Sequence, residues 1–285
     1  MIQAITEAAS PRGNEDRFGY AEGVAWVLDG ATDLSGIDLE GRTAAWWLVE
    51  ALHAELHDCA TEGAAMHAFD LVTRLSSGAR RRLHRKFGTS RRAVADALEQ
   101  ASSALSIVRK VDRRWTVIAF ADCPVLFRHP ATGEVKAIVN EGFGPVAQRS
   151  LDALEQARRR ESHAGLERLS ELTRPVLMQN RALMNNEGGY AVGAIRPPPR
   201  ALVSEYHLPE GAEAVAILSD GFSRWFDLFQ LGSAEELFQQ IEAGFGQAAL
   251  AELRAVERSD PDGRQFARFK KHDDATCFYA RLNDL

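Results

Sequence analysis

The chain is 285 residues long, 45% hydrophobic and 26% charged, with a net charge of −6. That is enough for one large domain or two small ones, and the acidic balance speaks against a surface built to bind nucleic acid or anionic membrane. Cys59, Cys123 and Cys277 stand far apart with no CxxC spacing, so neither a disulfide framework nor a thiolate zinc knot is suggested and a reducing compartment fits. The first residues, MIQAITEAASPRGNED, lack the basic stretch and apolar core of a secretory signal. No apolar run approaches the ~20 residues of a membrane span, and a cytoplasmic protein is expected.

The chain opens on β pattern. MIQAITEAA reads as a strand, and DRFGYAEG and VAWVLDG as two more joined at Glu22-Gly23. Arg42 to Cys59 has helical spacing in Ala45, Leu48, Val49, Leu52 and Leu56. A second helix fits AAMHAFDLVTRLSSGARRRLHRKF, and a shorter third fits SRRAVADALEQA. Strands return as SALSIVRKV, RWTVIAFAD, PVLFRHP and EVKAIVN, the last two joined by the turn HPATGE. From Gly142 to Gly189 the pattern loosens around an arginine-rich helix, LDALEQARRR, and another helix ending near Met184. IRPPPR is a stiff connector. Two strands follow, ALVSEYHL and AVAILSD, then two helices, AEELFQQIEAGF and QAALAELRAVERSD, and a last strand, ATCFYARL. Strands and helices come in runs, which predicts an α+β fold with mainly antiparallel sheet rather than βαβ alternation. A single domain over residues 1–285 is expected, with 142–189 as an insert or flap.

Acids sit at the ends of the apolar strands or in the turns beside them: Glu15 and Asp16 in GNEDRFG, Asp29 in VLDG, Asp122 in AFADC, Asp220 in ILSDG, and Asp273 and Asp274 in KHDDAT. One Asp-Gly pair is a turn signal. Several strand ends delivering carboxylates to one rim of a sheet are a different matter, because clustered carboxylates repel and need a cation. Oxygen donors without His or Cys favour the hard ions Mg²⁺ and Mn²⁺. Gly30, lacking a Cβ, lets its backbone carbonyl come close to such an ion or its waters.

GNEDRFG, VLDGAT, FAD, ILSDG and KHDDAT resemble, in order and approximate spacing, the motifs of the metal-dependent protein phosphatases, the PPM or type 2C family, in its bacterial serine/threonine phosphatase form. The resemblance runs from about Arg12 to Leu282. It implies a four-layer α-β-β-α sandwich of two sheets flanked by helices. It also implies hydrolysis of phosphoserine and phosphothreonine in proteins by a hydroxide bridging two Mg²⁺ or Mn²⁺ ions. The implied partners are a phosphorylated protein substrate and a cognate kinase. On the same ground Asp29 resembles the bridging carboxylate with Gly30 its carbonyl neighbour, Asp220 the ligand of the SDG motif, and Asp273 the acid of the terminal DN motif. Glu15 or Asp16 fills the early acidic position. Asp122 aligns with the aspartate of GDS, which helps hold a third ion in many members. Arg12 resembles the phosphate-binding arginine. The chain departs from the family in DGATD for DGxGG, which adds Asp33; in ADC for GDS; in Asp274 where Asn is usual; and in an Arg12 one residue closer to the acidic pair. These departures leave a weakened, regulatory or phosphoprotein-binding member, or a small-molecule phosphomonoesterase, as the alternatives.

Other phosphatase and hydrolase chemistries lack their motifs. Cys123 and Arg128 are one residue too close for Cys-x5-Arg, and there is no Asp-x-Asp after a strand, no Gly-x-Ser-x-Gly and no P-loop. His53 and His57, one helical turn apart, read as structural without a zincin glutamate, whereas His272 beside Asp273 could support the site or donate a proton. The basic run Ala79 to Arg92 reads as a solvated helix end whose cations complement the helix dipole. Trp46 and Trp47 read as packing residues.

Overall fold

The structure, a computed structural model, describes the chain except residues 11, 12, 64, 65 and 89, and describes residues 61–63 by their backbone alone. Its strands form two five-stranded sheets. One runs β1 (Ile2–Glu7), β10 (Ala275–Arg281), β9 (Ala214–Leu218), β6 (Val125–Arg128), β7 (Val135–Ile138). The other runs β2 (Arg17–Ala21), β3 (Val24–Gly30), β4 (Ser103–Val111), β5 (Arg114–Phe120), β8 (Glu205–His207). Every pairing between these ten strands is antiparallel.

The side-chain alternation of the strands explains the layering. In β3, Val24, Trp26 and Leu28 face α1 (Ala44–Gly63), α2 (Ala68–Phe87) and α3 (Arg92–Gln100), where they meet Leu48, Leu52, Leu71 and Leu75. Ala25 and Val27 face the other sheet, where they meet Val215, Ile217 and Phe278. In β9, Val215 and Ile217 point between the sheets, while Ala214, Ala216 and Leu218 point to α6 (Asp220–Asp227), α7 (Ala234–Glu242) and α8 (Gly246–Ser259). Strands covered on both faces must be apolar on both, which is why VAWVL and AVAIL are unbroken apolar runs. The result is the expected α-β-β-α order with its mainly antiparallel sheets.

The helix pair α4 (Gly144–Arg160) and α5 (Leu166–Arg181) forms a separate small cluster through Leu154, Ala157 and Leu169, packed on Ala267 and Phe269. α4 begins seven residues before the expected LDALEQARRR, with Pro145 in its first turn, a position where a missing N–H costs nothing. α6 was not expected. It starts at Asp220 itself, so the ILSDG ending is a strand running straight into a helix. β8 keeps only three of the residues in ALVSEYHL. No helix among the described residues is long and apolar enough to cross a membrane.

Candidate metal centre

The ladder register puts the acids at one end of the molecule. Arg17 pairs with Leu28 and Gly30 with Ser103, so the start of β2, the end of β3 and the start of β4 share a rim. Leu105 pairs with Phe120, which brings the end of β5 there too. In the other sheet Cys277 pairs with Leu218, joining the start of β10 to the end of β9. The two rims meet where the Asp220 amide donates to Asp29 Oδ2 at 3.2 Å. Parity does the rest: Asp29 follows Ala25 and Val27, and Asp16 precedes Phe18, so both carboxylates lie on the inter-sheet face of their strands.

A pocket of about 250 Å³ opens over this rim. Asp29, Gly30, Asp122, Asp220 and Asp273 line its floor, and Val146, Leu177, Met184 and Tyr190 form much of its wall. Asp16 is 2% exposed and outside the lining, and neither of its oxygens makes a well-formed hydrogen bond, although the Thr276 and Ser219 hydroxyls offset part of the effect of its burial. Burial and then the charge of Asp274 push its pKa up to about 8. Asp29 is raised well above the carboxylate range by burial, then by Asp16 and Asp220. Asp220 is raised by burial and then by Asp273. Buried charges of one sign that lack a partner move their pKa in this direction.

Asp273 behaves in the opposite way. Burial alone would raise it, but Lys270 and Arg224 outweigh burial and hold it below its ordinary value. Lys270 Nζ lies 2.8 Å from Oδ1 and Arg224 Nη2 lies 2.5 Å from Oδ2. Arg224 also stands 3.8 Å from Asp220 Oδ2. Neither cation was singled out from the sequence. Arg224 is one turn beyond Asp220 on α6, a spacing that carries meaning only once the helix is known. Lys270 precedes Asp273 by three residues in a segment with no regular structure.

The remaining expected residues take distinct places. Glu15 accepts a 2.5 Å hydrogen bond from the Thr43 hydroxyl, whereas Asp16 of the same early acidic pair makes no well-formed hydrogen bond. Asp274 accepts from the Ala9 and Glu15 amides at 2.5 and 2.6 Å and ties β10 to the loop before β2. Asp33 accepts from the Ser35 amide and hydroxyl and closes its own turn. His272 Nδ1 pairs with Glu257 Oε2 at 2.8 Å, away from the carboxylates of the floor. Asp122 is exposed at the pocket, on a turn whose Ala121 has φ 55°. Cys123 is buried and its thiol pKa is raised by burial and then by Asp29, which keeps it protonated and unfit as a nucleophile. His53 accepts from the Trp26 indole N–H at 3.2 Å, and burial, then His57, lowers its pKa to about 4. Arg12 lies outside the described residues.

Gly30 has a local cause. A Cβ there would come within 2.8 Å of Glu15 Cβ and 3.0 Å of the Glu15 carbonyl, so the glycine lets the Glu15-Asp16 segment pack against the end of β3. The donor set suits a hard cation: beside the Arg224 and Lys270 cations the pocket floor offers carboxylate oxygen and backbone, and Asp16 behind it is a buried carboxylate with no ion-pair partner among the described residues. Among the described residues, no three carboxylate, imidazole or thiolate groups stand close enough to enclose an ion as they are. One or two carboxylates with water is the usual protein share of a Mg²⁺ site, and the floor supplies that share.

This fold is that of the PPM-type bacterial serine/threonine phosphatases. The catalytic domain of the serine/threonine protein phosphatase PstP, solved with two manganese ions, superposes with a TM-score of 0.53 at 12% identity, covering 99% of this chain and 97% of that one. The phosphatase Stp1 from Staphylococcus aureus matches with a TM-score of 0.53 at 11% identity over 98% and 94% of the two chains. PppA, described as a key regulatory component of the type VI secretion system in Pseudomonas aeruginosa, matches with a TM-score of 0.50 at 15% identity over 99% and 96%. No family model and no curated protein sequence matches the chain.

Proposed function

We propose that the chain is a divalent-metal-dependent phosphatase that hydrolyses phosphoserine and phosphothreonine in proteins. The observation that carries this reading is the convergence of Asp16, Asp29, Asp122, Asp220 and Asp273, from both sheets, on one rim of a PPM-type fold. Asp29 and Asp220 would hold the cation, with the Gly30 carbonyl beside them, Asp16 behind and Asp122 on the same floor. When bound, a Mg²⁺ or Mn²⁺ ion supplies a Lewis acid that lowers the pKa of water and draws charge from a phosphoryl oxygen. The chain's own part is to fix the acceptors. The Asp220 amide holds one Asp29 oxygen, and the Asp274 carboxylate pins the loop that carries Asp16. Arg224 and Lys270 line the pocket and put positive charge where a phosphoryl group would enter.

A second reading, a small-molecule phosphomonoesterase, is favoured by the pocket itself. The wall formed by α4, α5 and Tyr190 leaves about 250 Å³, room for a compact substrate. Hydrolysis of p-nitrophenyl phosphate and of phosphoserine and phosphothreonine peptides by purified protein, with and without Mn²⁺, tests both. Turnover that needs Mn²⁺ and falls at least ~100-fold in Asp29→Asn supports the phosphatase reading. Turnover of small esters but not of peptides moves it to the second reading. No turnover of any ester with Mn²⁺ or Mg²⁺ removes both.

A further inference from the structure

The carboxylates of the rim divide into two kinds. Asp16, at 2% exposure, has no well-formed hydrogen bond and only the neutral Thr276 and Ser219 hydroxyls beside it, and no ion pair among the described residues reaches Asp16 or Asp29. Asp273 is saturated: Lys270 is on one oxygen at 2.8 Å, with the Asp274 amide also donating to it at 3.2 Å, and Arg224 is on the other at 2.5 Å. Arg224 is also held from behind. Its Nη1 lies 3.7 Å from Oε1 of Glu257, a wholly buried acid whose other oxygen takes Arg254 at 2.7 Å and His272 at 2.8 Å. The guanidinium therefore belongs to a network that runs into α8 and has an acid on each side.

We infer that Arg224 and Lys270 take, through Asp273, the place that a second divalent ion would fill, so that this chain binds a single Mn²⁺ or Mg²⁺ ion on the Asp16–Asp29–Asp220 side. The inference rests on the metal-dependent reading above and contrasts with the two manganese ions of the PstP catalytic domain. An ion using Asp273 as a ligand would have to displace an ammonium and a guanidinium from its oxygens, take from Lys270 its ion-pair partner and leave Arg224 only the longer contacts to Asp220 and Glu257, and then sit beside both cations. A buried ion pair resists the loss of one partner, and two like charges in a low-dielectric site repel strongly. The other side presents the reverse situation: Asp16 and Asp29 have no ion-paired cation among the described residues, and Asp220 meets Arg224 only at 3.8 Å.

Mn²⁺ alone is the probe. The full chain, stripped with chelator, is titrated with Mn²⁺ by calorimetry, ions per chain are counted by native mass spectrometry, and electron paramagnetic resonance is recorded at saturation. One ion per chain with an uncoupled six-line signal is the expected wild-type result. Lys270→Met and the double variant Lys270→Met/Arg224→Met are expected to admit a second ion and to show an exchange-coupled signal. Two coupled ions in the wild type overturn the inference and leave the metal-dependent reading intact. No bound ion overturns both. A single ion in wild type and in folded variants alike overturns the assignment to Arg224 and Lys270. Because the wild-type count and spectrum are read without any variant, a double variant that fails to fold leaves the inference falsifiable, and Lys270→Met at a half-buried position gives a milder second test.

Discussion

Ala121 carries a methyl group in left-handed backbone, at φ 55°, where a Cβ costs roughly 1–2 kcal/mol. The turn it makes passes β5 into β6 and presents Asp122 to the pocket, and the Ser106 hydroxyl ties its far side by donating to the Cys123 carbonyl at 2.5 Å. The resembling motif has glycine at this position. Ala121→Gly is expected to raise the unfolding free energy by about 0.5–1 kcal/mol, the relieved strain being partly offset by glycine's freedom in the unfolded chain. Urea denaturation measures it, and a loss of stability would show that the turn is not strained. Side chains of this rim differ in how far the sequence discloses them. Asp29 and Asp220 were legible because an apolar run that ends on an acid is visible in one dimension, and the strand register then brings those ends together. That the Thr43 hydroxyl reaches Glu15 and not Asp16 was not legible, since it comes from a different element. Arg224 and Lys270 were hidden for the same reason: a cation matters here only through the acid it reaches in space.

At the scale of elements, α4 and α5 form the wall of the pocket, and two arginines of α5 tether it to the DGATDL loop. Arg174 donates to the Leu34 carbonyl at 2.7 Å, and Arg181 donates to the carbonyls of Thr32 and, at 3.2 Å, Gln100. On the other side Arg158 donates to the Gly263 and Arg264 carbonyls. The wall is thus held by charged side chains on backbone carbonyls more than by shared core, since its own buried cluster is small. Removing one charged donor of this kind costs about 1.5–3 kcal/mol. In Arg181→Ala the amides of α5 are expected to exchange with deuterium at least ~10-fold faster while those of β3 and β9 keep their protection. Equal protection of α5 in the variant would mean that the wall does not depend on this tether. The period of the apolar residues, two or 3.6, revealed the long strands and α1, α2, α7 and α8, because those elements bury one stripe or both faces. α6 escaped because its first two residues are an Asp-Gly pair, which reads as a turn, and it spans only eight residues. The early start of α4 was signalled by Pro145, a helix-opening residue that looked like loop inside a glycine-bearing segment.

The molecule as a whole carries a conflict between its fold and its charge. Four packed layers bring acids from both sheets to one rim, and the inter-sheet core that does so is the same core that takes water away from Asp16 and Asp29. A group whose pKa is higher in the folded than in the unfolded chain stabilises the fold fully below its unfolded pKa, and that contribution is lost as pH rises through the folded value. Asp16, raised to about 8 by burial and Asp274, and Asp29 and Asp220, raised chiefly by burial, all have this sign. Asp273, lowered by Lys270 and Arg224 against the effect of burial, has the opposite sign, but its loss falls below the ordinary carboxylate range and leaves neutral pH untouched. In chelator the protein is therefore expected to melt higher near pH ~5.5 than near pH ~8.5, and Asp16→Asn to flatten part of that slope. Mn²⁺ binds the deprotonated carboxylates, so the stabilisation it adds should grow with pH and be largest where the chelated protein is weakest. Each ~1 kcal/mol should read as roughly 2–4 °C in a chain of this size. Thermal unfolding in chelator and in Mn²⁺ at the two pH values decides the matter. A chelated protein that gains stability toward high pH would show that these carboxylates are already satisfied within the chain, and that their gathering at one rim does not call for an ion.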